Sequence, residues 1–170
     1  MEKKRIIFMG TPLISTEYLK TLINNNFNII GVYTQPPSPK GRGMIVQNSP
    51  VHNEALKNSI PVFFPNNFID QKIIDTFVNL KADLAIVMAY GKLLPEAILK
   101  APKCGCINVH LSLLPQWRGA APIEHALING DKKTGVTIFR LVNKFDAGPI
   151  LSKSPIFIDD KMNKEDLFNK

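Results

Sequence analysis

Asn108, Val109 and His110 lie in a short apolar run. In a strand, residues i and i+2 project from one face, so this spacing sets a carboxamide beside an imidazole. Histidine changes charge near neutral pH and can move a proton. Asparagine can donate N–H bonds to a developing oxyanion or accept one from an attacking amine. Ser112-Leu113-Leu114-Pro115 and then Trp117-Arg118-Gly119 follow, so the pair borders a tight loop. Further on, Phe145-Asp146-Ala147-Gly148-Pro149 places one acid among apolar and small residues. An acid beside a histidine favours the imidazolium and fixes its orientation. Each feature also has a plain structural explanation. His110 could simply bond a loop while Asn108 caps a turn, and Asp146 could head an Asx turn. Spacing leaves both readings open.

The elements that must position these groups follow from the apolar pattern. Arg5–Met9, Ile29–Thr34, Pro61–Phe64, Leu84–Ala89, Cys106–His110, Gly135–Leu141 and Ile150–Ile158 read as strands. Ser15–Asn24, Val51–Asn58, Ile69–Leu80, Ile123–Asn129 and the start at Lys164–Asn169 read as helices. Such alternation predicts an α/β fold, a doubly wound, mostly parallel sheet with helices on both faces. Sites in these sheets lie beyond the carboxyl ends of strands. That rule singles out Gly10–Thr11, the long Pro- and Gly-containing loop Gln35–Pro50, Tyr90–Leu94 and His110–Gly119.

Several functions are disfavoured. Gly10-Thr11-Pro12 lacks the G-x-G-x-x-G spacing of a dinucleotide site, Pro12 removes an amide donor, and no phosphate-loop pattern occurs. Cys104 and Cys106 are too close for a relaxed disulfide, and no second pair completes a metal site, so no metal is expected. As strand residues they would face one side and act as small packing groups. Apolar residues make up 45% of the chain, yet no run approaches the ~20 needed to cross a bilayer. The net charge of +7 favours an anionic partner, nucleic acid first. The expected location is cytoplasmic or an organellar matrix, with no membrane partner.

Taken together, the motifs carry a resemblance. Ile107-Asn108-Val109-His110, Ser112-Leu113-Leu114-Pro115, Trp117-Arg118-Gly119-Ala120-Ala121-Pro122-Ile123 and Asp146 resemble the formyltransferases that use 10-formyltetrahydrofolate. The Trp117–Ile123 run narrows the resemblance to those acting on methionyl-tRNA. So do Phe8–Pro12, Thr34-Gln35-Pro36, Gly41-Arg42-Gly43, Ala89-Tyr90-Gly91 and Thr134–Ile138. The resemblance implies formyl transfer from 10-formyltetrahydrofolate to the α-amine of methionyl-initiator tRNA, with no metal and a monomeric protein. It implies catalytic roles for Asn108, His110 and Asp146. It implies folate contacts from Ser112, Leu113, Leu114 and Pro115, from Tyr90, Gly91, Lys92, Leu93 and Leu94, and from Asn143, Lys144 and Phe145. It implies tRNA contacts from Arg42 and Lys40. Leu13, Ile14 and Leu111 depart from the family's pattern. Relatives carry a further C-terminal β-barrel that holds tRNA, so residues 1–170 are expected to be a single catalytic domain, incomplete at its C-terminus. The alternatives are a related folate-dependent transferase, a hydrolase of the same cofactor, or an inactive folate- or tRNA-binding remnant.

Overall fold

The computed structural model describes residues 3–170, apart from the side chain of Lys40. The chain forms two compact units, one up to Cys106 and one from Ile107 to Lys170. The first unit runs β1 (Arg5–Gly10), α1 (Leu13–Asn24), β2 (Asn28–Tyr33), β3 (Ser38–Lys40), β4 (Ile45–Gln47), α2 (Pro50–Lys57), β5 (Val62–Phe63), α3 (Gln71–Asn79), β6 (Leu84–Met88) and α4 (Glu96–Lys100).

Its parallel strands lie in the order β5-β2-β1-β6. The chain therefore winds outward from β1 to β5 and then returns to the other side of β1. Right-handed crossovers then put α1 and α2 on one face and α3 on the other. The packing agrees, with α1 against α2 and α3 against α4. The expected doubly wound, parallel arrangement is thus present, with its switch point between β1 and β6. As an inner strand β1 is apolar from Ile6 to Met9, and Ile7, Phe8 and Met9 are fully buried. An aromatic cluster closes the other end of the sheet. Tyr33 stacks on Phe63 at 4.8 Å and meets the edge of Phe77 at 5.1 Å.

The first strand is also tied by charge. The Arg5 backbone N–H donates to Asp83 Oδ2 at 2.8 Å, and Lys103 Nζ donates to Oδ1 at 2.9 Å. These bonds hold the Asp83 carboxyl below its ordinary value of 3.8, the Arg5 bond contributing most. A carboxyl depressed in the folded state adds stability at neutral pH that disappears as pH falls through its folded pKa. Asp83→Asn should therefore lower the melting temperature at pH 7, and the difference from wild type should shrink below about pH 4 in thermal melts.

Three local expectations are corrected. Gln35–Pro50 is not a plain loop but carries an antiparallel hairpin, β3 on β4. A turn with Gly41 at φ +71° and Met44 at +45° closes it. Strands of three residues are too short to show a period in sequence. Helix α4 escaped notice for the same reason, having five residues. Cys104 precedes the strand and is exposed, whereas Cys106 is buried with its Sγ 3.6 Å from the Ile98 carbonyl. Among the described residues neither thiol is in a disulfide, and one is exposed while the other is buried.

The second unit contains β7 (Cys106–His110), α5 (Pro122–Ile128), β8 (Lys133–Arg140), β9 (Ile150–Phe157) and α6 (Lys164–Phe168). Here β7 and β9 both pair antiparallel with β8. The short link between β8 and β9 has no crossover helix, and only an antiparallel pair can be joined that way. The register sets Asn108 opposite Phe139 and His110 opposite Thr137.

Candidate active site

His110 ends β7 and is 6% exposed. Its Nε2 donates to the Trp117 carbonyl at 2.8 Å. Its Nδ1 lies 3.9 Å from Asp146 Oδ2. That gap is too long for a direct hydrogen bond and leaves the two groups a close charge pair once the ring is protonated. The same Asp146 oxygen accepts the Gly119 N–H at 2.7 Å. Asp146 itself has φ +41°, a left-handed backbone conformation uncommon for any residue but glycine and tolerated best by Asn and Asp. Asn108 is half-buried on the same strand, and among the described residues its carboxamide has no partner. A proton carrier, its acid and an unpaired amide donor therefore share one end of the second unit. The arrangement can accept a proton at His110, neutralise the resulting charge with Asp146, and offer an N–H to an oxyanion.

The loop after β7 is held from beneath. Thr137 on β8 donates from Oγ1 to the Ser112 carbonyl at 2.6 Å and accepts the Leu114 N–H at 3.1 Å. Ser112 Oγ donates to the Gln116 carbonyl at 2.5 Å. Lys153 Nζ on β9 donates to the Leu114 carbonyl. The Leu114–Pro115 peptide is cis. Sequence reading missed Thr137 and Lys153 as supports. The only signal was that Thr137 falls on the polar side of an alternating strand.

The residues expected to touch folate divide by exposure. Ser112, Leu114, Tyr90 and Leu94 are buried, so their side chains shape the loops. Leu113 and Lys92 are half-buried, while Pro115, Gly91, Asn143 and Lys144 are exposed. Leu93 and Phe145 are about two-thirds exposed, at 68% and 69%, and offer apolar surface. Arg42 is exposed at the hairpin turn, and Lys40's side chain lies outside the described residues. Leu13 opens α1 and is exposed, whereas Ile14 and Leu111 are half-buried.

In the first unit, the switch point opens a cavity of about 460 Å³ lined by Thr11, Gln35, Pro36, Ser38, Ser49 and Lys92 among others. Thr11 Oγ1 and Gln35 Nε2 both donate to the Tyr90 carbonyl, at 3.1 and 3.0 Å. Lys92 Nζ donates to the carbonyls of Pro65 and Asn66. Burial lowers the Lys92 pKa from its ordinary value. The position of this cavity obeys the rule for open α/β sheets.

Fold and site together define a class. The chain matches the family Formyl transferase over residues 4–170 and belongs to that family. It is 45% identical over 166 residues to the methionyl-tRNA formyltransferase of Clostridioides difficile (strain 630), which covers 98% of this chain and 54% of that protein. It is 48% identical over 149 residues to the methionyl-tRNA formyltransferase of Legionella pneumophila (strain Corby), which covers 88% of this chain and 48% of that protein. The chain thus spans about half the length of the curated relatives it matches. Among solved structures, phosphoribosylglycinamide formyltransferase from Bacillus halodurans superposes with a TM-score of 0.78 at 21% identity, covering 98% of this chain and 86% of that one. A formyltetrahydrofolate deformylase from Pseudomonas syringae pv. tomato str. DC3000 gives 0.77 at 20%, covering 99% and 56%. These likenesses establish the fold.

Proposed function

We propose that this chain carries the catalytic site that moves a formyl group from 10-formyltetrahydrofolate to the α-amine of methionyl-initiator tRNA. The observation that carries the reading is His110 held between the Trp117 carbonyl and the Asp146 carboxylate. The two relatives named above support the choice of acceptor.

The folate supplies an activated formyl group when bound. Residues beside Asp146 fit such a group: Phe145 and Val142 present exposed apolar surface in the second unit. Apolar walls with a few backbone donors suit a flat heteroaromatic ring. Asn108 donates from its carboxamide to the oxygen on which charge develops. His110 takes the proton released by the attacking amine at Nδ1, since Nε2 is already committed. Asp146 balances the imidazolium and orients it. His110 then returns the proton to the departing nitrogen. Metal ligation has no role in this scheme.

For tRNA, the net charge of +7 and the exposed Arg42 at the hairpin turn support an anionic partner. Arginine offers directed donors to phosphate or base edges. Exposed Met44, Ile45 and Val46 beside it add apolar surface that can stack or pack on a ribose or base.

The test mixes the purified chain with 10-formyltetrahydrofolate and charged initiator tRNA. Formyl-methionine is the expected product. Free formate in its place identifies a hydrolase, and the absence of both products removes catalytic competence from this chain alone.

A further inference from the structure

The two ring nitrogens of His110 have different duties. A carbonyl can only accept, so the bond of 2.8 Å to Trp117 requires the proton on Nε2. In the neutral ring the lone pair then sits on Nδ1, the side facing Asp146. The Trp117 carbonyl therefore selects the working nitrogen.

That carbonyl needs holding. Trp117 is in neither helix nor strand, and its φ is +54°, a region a bulky residue occupies only when its surroundings impose it. The indole supplies the hold. Trp117 Nε1 donates to Asp131 Oδ2 at 2.7 Å. The indole also stacks on the His125 ring, with centroids 5.4 Å apart and planes 8° apart. Asp131 is anchored in turn. Its Oδ1 accepts Asn129 Nδ2 at 2.6 Å, and its own N–H donates to the Ala126 carbonyl at 3.0 Å. Two residues beyond Trp117, Gly119 N–H reaches Asp146. One tripeptide thus touches both ionisable groups of the site, and its indole is clamped from the far side.

We propose that Asp131 is a positioning residue for His110. Acting through Trp117, it keeps the carbonyl aimed at Nε2, and so keeps His110 in the Nε2–H tautomer with Nδ1 free for proton transfer. His125 supports the same indole by stacking. The catalytic meaning of this device rests on the reading of His110 given above. The tautomer itself does not.

The test is nitrogen-15 NMR of the His110 ring in the full 170-residue chain. In the wild type at a pH where the ring is neutral, the proton is expected on Nε2. Asp131→Ala and Trp117→Phe should each give a mixture of tautomers, and the double variant should be no worse than either single one. Trp117→Phe keeps an aromatic ring for His125 while removing the indole N–H, so it serves even where Asp131→Ala destabilises the unit. In formyl-transfer assays kcat should fall on the order of ten- to hundredfold while KM for the acceptor stays put. A wild-type ring protonated on Nδ1, or a wild-type tautomer ratio retained in Trp117→Phe, overturns the proposal. If His110→Ala retains full activity while the tautomer still shifts, the positioning stands and the catalytic reading falls.

Discussion

Replacing His110 with Ala, or Asp146 with Asn, should slow formyl transfer on the order of 100- to 1000-fold. The two changes remove different things. His110→Ala deletes the proton carrier and leaves the Trp117 carbonyl without its donor. Asp146→Asn keeps an oxygen for the Gly119 N–H but removes the negative charge 3.9 Å from Nδ1. The imidazolium then loses its counter-charge at the moment it forms. Both effects fall on the chemical step, so kcat should drop more than substrate affinity changes. Single-turnover rates with initiator tRNA supply the check, alongside circular dichroism to confirm that each variant is folded. Near-normal rates in both would remove these residues from the chemistry.

The second large effect is on stability. A Cβ at Gly148 would lie 1.7 Å from the Arg140 carbonyl oxygen and 2.9 Å from its carbon. Those atoms are backbone, and the Arg140 N–H is already bonded to the Pro149 carbonyl at 2.9 Å, so neither segment can step aside. Gly148→Ala should cost about 3 kcal/mol or more. For a chain of this size that lowers the melting temperature on the order of 10 °C. Because Asp146 stands on the same turn, catalysis should fall with it. Gly119→Ala is the matched control. Among the described residues no atom beyond its chain neighbours lies within 4 Å of the added Cβ, and only the φ of +87° is unfavourable. It should cost about 1 kcal/mol. Equal melting temperatures for the two variants would contradict the steric account.

Much of this was legible in the chain. The apolar run Arg5–Met9 announced a strand, and β1 is an inner strand of its sheet. The strand Cys106–His110 occurs with the bounds expected of it. What escaped has a common cause. The hairpin strands and α4 are shorter than one readable period, so no pattern distinguishes them from a loop. Cys104 lies just before β7, so the shared face that a strand would give the two cysteines does not arise. The antiparallel turn of the second unit was equally hidden, because the same alternation of apolar residues suits either direction of pairing.

The sequence by itself determined the chemical inventory: an amide and an imidazole two residues apart in a strand, an acid downstream, and the motifs that mark a formyltransferase. It could do so because side-chain identity and strand period are local properties. Only the tertiary structure decided which atoms of that inventory face one another. The Trp117 carbonyl and the Gly119 N–H belong to groups that every peptide unit carries, so no residue type announces their role. Which nitrogen of His110 is free, and what the Asp146 carboxylate touches, depend on the path of the backbone across the end of β7.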